Sequence, residues 1–139
     1  MNPKDLIKTI YLGDRGCKGV LIDTWNKSVS LHVTVISRIR SQTGRWEYYD
    51  AEDIVDGRIV FTDVERFSMS PPGPIPNDFI NEISATEQHD VTSGRTHYAV
   101  RISISSVDAA GLWTEVIVEL DAGGMHLEAP DHPGVAITT

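Results

Sequence analysis

The chain has 139 residues, 40% of them hydrophobic and 23% charged, which suits one folded domain with its own core and excludes the composition of a disordered chain. A formal charge of -8 and a pI near 4.9 argue against nucleic acid or an anionic membrane surface as main partner, since both require clustered cations. No stretch is apolar for long enough to cross a bilayer, Met1 to Ile10 lacks a signal peptide's apolar segment, and Cys17 is the single cysteine, so a cytoplasmic protein without an intrachain disulfide is expected.

In chain order, Asn2 and Pro3 followed by Leu6, Ile7, Ile10 and Tyr11 predict a short N-terminal helix, with Asn2 as cap and Pro3 in the first helical position. Gly13-Asp14-Arg15-Gly16 ends it. Cys17 to Trp25 and Ser28 to Ile36 then read as a hairpin turning at Asn26-Lys27. Its second strand alternates Val29, Leu31, Val33 and Val35 with Ser30, His32 and Thr34, the pattern of an antiparallel sheet with one buried face. Asp50 to Asp56 predicts a helical turn around Ile54 and Val55, and Arg58 to Thr62 a strand with Ile59 and Phe61 inward. Beyond Thr62 the alternation slips, since Val64, Phe67 and Met69 fall out of step, and a β-bulge there is the economical expectation.

Ser70 to Pro76 carries four of the seven prolines and must cross the surface as an extended connector, because each proline removes a backbone donor and fixes φ. Asn77 to Ile83 fits a helical turn or an edge strand equally, and Thr86 to Arg95 reads as a polar loop. The strongest strand follows, with Tyr98, Val100, Ile102 and Ile104 inward and His97, Ala99, Arg101 and Ser103 outward. Turns at Asp108 to Gly111 and Ala122 to Gly124 continue it as a meander through Trp113 to Leu120 and Met125 to Leu127. The expected fold is mainly β: an antiparallel sandwich or partly open barrel of about seven strands with a short N-terminal helix. A single domain over 1–139 is expected, with 130–139 a loosely ordered tail.

Catalytic and metal-binding signatures are not found in the sequence. Gly13 to Gly16 lacks the glycine spacing and Lys-Ser/Thr of a phosphate loop, and no Gly-x-Ser-x-Gly elbow occurs. His126, Asp131 and His132 carry ligand chemistry at a spacing that matches no known zinc site, so neither metal nor cofactor is expected. Glu115 and Glu119 share one strand face with Ile117 between them, which reads as a solvated face. Charge is uneven along the chain: residues 1–45 hold eight Lys and Arg against three Asp, and residues 46–139 hold four Arg against seventeen Asp and Glu. Just at that boundary aromatics, a cation and acids gather, and Arg45, Trp46, Glu47, Tyr49, Asp50, Glu52 and Asp53 form the candidate protein contact, since Trp, Tyr and Arg dominate interface energetics. The plainer reading places Trp46 and Tyr48 in the core of an ordinary strand.

Tyr11-Leu12-Gly13-Asp14-Arg15, Ile39-Arg40, Trp46 to Tyr49, Gly57 to Phe61 and Ile75 to Asp78 resemble a family of small uncharacterised bacterial proteins over roughly the first two-thirds of the chain. Such proteins are similar in size and β-rich character to immunity proteins encoded beside bacterial toxins. The resemblance implies a bacterial, cytoplasmic, non-enzymatic binding protein whose partner is a basic protein such as a toxin, and it brings no catalytic residues. A small-molecule-binding barrel or sandwich, with its ligand in an apolar cavity beneath the N-terminal helix near Trp25 or Trp113, is the alternative. An enzyme built on scattered carboxylates or histidines is the third reading.

Overall fold

A computed structural model of the chain describes residues 1–39 and 52–139. Its elements are helix α1 (Pro3–Ile7) and strands β1 (Ile10–Tyr11), β2 (Cys17–Asp23), β3 (Ser28–Val33), β4 (Val35–Arg38), β5 (Ile54–Val55), β6 (Arg58–Thr62), β7 (Arg66–Ser70), β8 (Ile80–His89), β9 (Thr96–Val107), β10 (Trp113–Ala122) and β11 (Gly124–Glu128). Two four-stranded antiparallel sheets, ordered β11-β6-β3-β2 and β7-β10-β9-β8, form a sandwich, and a small sheet β1-β4-β5 adjoins them. The described strands close no barrel.

Alternation builds the core. Val29, Leu31 and Val33 of β3, Ile59 and Phe61 of β6, and Met125 and Leu127 of β11 are all buried. From the second sheet, Ile80, Tyr98, Val100, Ile102, Ile104, Val118 and Leu120 join them in one continuous cluster. Helix α1 packs against β8 and β11, one edge strand from each sheet, with Leu6 fully buried. Its start follows the expected chemistry: Asp5 N donates to Asn2 Oδ1 at 2.9 Å and Pro3 occupies the first turn. The helix stops earlier than the spacing predicts, because Ile10 and Tyr11 pair with Arg38 and Ser37 instead of continuing it.

Other expectations are corrected in the same way, by pairing with distant strands. Ile54 and Val55 form no helical turn, since they pair with Ile36 and Val35. The slip after Thr62 is a passage between sheets rather than a bulge. Asp63 takes a φ of 51°, Val64 N donates to Lys27 O at 2.8 Å, and β7 then pairs with β10. A register shift lies between Cys17 and Gly19 of β2, and another between Ile80 and Glu82 of β8. There the Asn81 side-chain amide reaches the hydroxyls of Ser103 and Ser105 at 3.3 and 3.2 Å, which explains why outward-pointing Ser103 is buried. Asn77 to Ile83 is resolved as the approach to and start of β8, and β8 runs through Thr86 to His89, which the sequence reads as loop. Long partner β9 supplies ladder bonds to those polar residues, overriding their weak strand propensity.

The proline-rich segment crosses the surface as expected. Asn77 fastens its end to the far end of β9, donating to Val107 O at 3.0 Å and accepting from Val107 N at 2.8 Å. The tail from Pro130 to Thr139 is mostly exposed and is pinned at Ile137, which exchanges backbone hydrogen bonds with Leu127.

Phe61 is 0% exposed at the centre of the core, whereas Trp25 is 92% exposed at the β2–β3 turn. Phe61→Ala is therefore expected to reduce the unfolding free energy by about 3–5 kcal/mol. Trp25→Ala should stay within about 0.5 kcal/mol of the parent, both measured by urea denaturation.

Candidate functional site

The outward face of the β7-β10-β9-β8 sheet carries an open groove of about 550 Å³. Period two decides its lining. Outward residues are Arg66 and Ser68 on β7, Glu119 and Asp121 on β10, His97, Ala99 and Arg101 on β9, and Ser84, Thr86 and Gln88 on β8. Ala99 sits opposite Asp121 on one side and Thr86 on the other, so short side chains make the hollow. Long charged ones make its rim.

Register sets the electrostatics. Arg66 stands opposite Asp121, and Glu119 stands opposite Arg101, so opposite charges face each other across both sides of β10. No ion pair within 4.0 Å forms in either case, and the two guanidiniums remain available to a ligand. Deeper in the groove His97 and Asp121 have side chains 17% and 20% exposed, with His97 Nε2 at 3.5 Å from Asp121 Oδ1. His97 Nε2 also lies 3.1 Å from Gln88 Oε1, while its Nδ1 and Asp121 Oδ1 are buried without a hydrogen-bond partner. A buried polar atom lacking a hydrogen-bond partner is unusual in a folded protein, and two such atoms lie at this floor.

His97 directs one ring nitrogen at the Gln88 carboxamide and buries the other. Cys17 is buried, and burial pushes its thiol up, away from the nucleophilic thiolate. His126 and His132 are engaged by Glu128 and Asp131 at 3.0 and 3.2 Å. Among the described residues no three His, Cys, Asp or Glu side chains converge as a metal site.

Of the contact residues expected from the sequence, Arg45, Trp46, Glu47, Tyr49 and Asp50 lie outside the described residues. Glu52 is exposed and Asp53 half-buried, immediately before β5. Trp113 is 59% exposed and Trp25 projects into solvent, so neither lines an apolar cavity beneath α1. Glu115 and Glu119 do share the outward face of β10, with Ile117 between them. The groove itself was missed in the sequence because Thr86 to His89 read as loop, which removed one wall. Alternation of Ser84, Thr86 and Gln88 is the signal that marks it.

The β8–β9 turn holds His97 and Gln88 in register, and Asp90 holds the turn. Its carboxylate accepts from Thr92 N at 2.9 Å and from Ser93 N at 3.4 Å, bonds that keep Asp90 below the ordinary carboxylate range. A folded-state value below the unfolded one gives stabilisation that is present above the unfolded value and lost as pH falls through the folded value. Asp90→Ala should therefore melt earlier than the parent at neutral pH, and the difference should close on acidification, as followed by circular dichroism.

No match was found among curated proteins or among solved structures. No helix of the described residues is long and apolar enough to cross a membrane. One comparison is positive: over residues 1–139 the chain belongs to DUF6258, a family of unknown function.

Proposed function

We propose that the chain is a non-enzymatic protein-binding module that offers the outward face of the β7-β10-β9-β8 sheet to a basic protein partner. The carrying observation is the charge of that face. Glu82, Glu115, Glu119 and Asp121 project from it against only Arg66 and Arg101, and the groove between them is floored by an unsatisfied carboxylate oxygen. Such a face attracts a cationic surface over a Debye length and speeds its encounter, while the groove receives a protruding basic side chain. A toxin with a basic active site is a partner of this kind. The aromatic and acidic stretch from Arg45 to Asp53 supplies further contact chemistry for the same partner.

A second reading has one observation in its favour. The groove's volume, about 550 Å³, falls within the size of small-molecule sites, so a polar small ligand is the alternative occupant.

The test is binding of the purified chain to the basic product of a neighbouring gene by surface plasmon resonance, beside a Glu115→Gln, Glu119→Gln, Asp121→Asn variant. The parent should bind and protect cells that express that product. The variant should associate about tenfold more slowly at low salt, and the gap should narrow at high salt. Unchanged association of the variant, or a parent that neither binds nor protects, removes the proposal.

A further inference from the structure

On the opposite side of the sandwich, the outward face of the β11-β6-β3-β2 sheet forms a second cleft, of about 330 Å³, against the C-terminal tail. Strand pairing builds its floor: His32 of β3 stands opposite Arg58 of β6, and Arg58 stands opposite Glu128 of β11. Lys18 and Asp56 complete the sheet side, and Ala129, Pro130 and Pro133 form the wall.

Both carboxylates of this cleft are already committed. Lys18 Nζ lies 2.6 Å from Asp56 Oδ1, and His126 Nε2 lies 3.0 Å from Glu128 Oε1. The Arg58 side chain is exposed to the cleft and makes no hydrogen bond or ion pair with any described residue, and the His32 side chain makes no hydrogen bond with one. The cleft therefore holds a guanidinium without a bonded side-chain partner among the described residues, beside an imidazole and an ammonium, while the formal charges of Lys18 and Arg58 are balanced by Asp56 and Glu128. Lys18, with a smaller contribution from His32, holds Asp56 below the ordinary carboxylate range.

We infer that this cleft is a binding site for a small oxyanion-bearing ligand, a phosphate or carboxylate group held by Arg58 with His32 and Lys18 beside it. A guanidinium presents two parallel N–H donors that match two oxygens of such a group. An imidazole N–H supplies a third, directly across the strand pair. Lys18 is shared with Asp56 through a pair that is 43% and 46% exposed, weak enough in water for a ligand oxygen to compete for it. Pro130 and Pro133 offer no backbone N–H and form the wall of the cleft opposite the charged side chains. The site is separate from the groove of the proposed protein contact, and neither inference depends on the other.

Inorganic phosphate and malonate are titrated separately into the full chain while backbone amide resonances are followed by nuclear magnetic resonance, with Arg58→Gln and Arg101→Gln as variants. Arg58 is exposed, so its replacement leaves the core intact, and Arg101→Gln controls for loss of a guanidinium in the other groove. Saturable shifts centred on His32, Gly57 and Arg58 are expected at millimolar ligand, weakened at least tenfold in Arg58→Gln and unchanged in Arg101→Gln. Response to phosphate alone assigns a phosphoryl ligand; response to both, or to malonate alone, assigns a carboxylate-tolerant or carboxylate site. Absence of saturation, or equal binding by parent and Arg58→Gln, overturns the inference.

Discussion

Each of the two four-stranded sheets has one apolar face, and the rest of the architecture follows from covering both faces with each other. Phe61, Ile59 and Leu31 on one side and Ile102, Ile104 and Val100 on the other leave little surface for water. The chain must then pass between the sheets, which it does at Asp63 to Glu65. That passage is held from three directions: Val64 N donates to Lys27 O, Glu65 N donates to Asp121 O at 3.1 Å, and Lys27 pairs with Glu65 at 3.0 Å. The positive φ values of Lys27 and Asp63 are the conformational cost of turning there, offset by backbone bonds that both strands need.

Once the inner faces are committed to the core, the outer faces become the functional surface. On β9 and β10 the short Ala99 leaves a hollow under long charged neighbours, and the register brings opposite charges side by side without joining them. On β6 and β11 the same period two sets Arg58 among groups already paired. The first surface carries an excess of acidic groups, whereas on the second Lys18 and Arg58 are matched by Asp56 and Glu128. The acidity of residues 46–139 and basicity of residues 1–45 do not map onto them simply, because Arg58 and Lys18 come from different halves of the chain and meet only through strand pairing.

Much of the fold was legible in local pattern. The Asn2 cap, the alternation of β3 and β9, the turn glycines and the proline connector each depend on residues within a few positions of one another. The expected helical turn at Ile54 and the loop at Thr86 to His89 failed for the opposite reason. Neither segment has strong local preference, and each takes strand geometry from a partner, Ile36 in one case and the β9 ladder in the other. The candidate contact at Arg45 to Asp53 rests on composition, and its residues 45–51 lie outside the described residues.

The sequence by itself determined that this is a mainly β protein with an acidic balance, because side-chain alternation, turn chemistry and charge are properties of short stretches and of composition. Only the tertiary structure decided that the break at Thr62 changes sheets, that one register shift falls at Asn81, and that Arg58 faces His32 while Ala99 faces Asp121. Those outcomes rest on register between strands tens of residues apart. A shift of one residue in any pairing would send the same side chains to the other face.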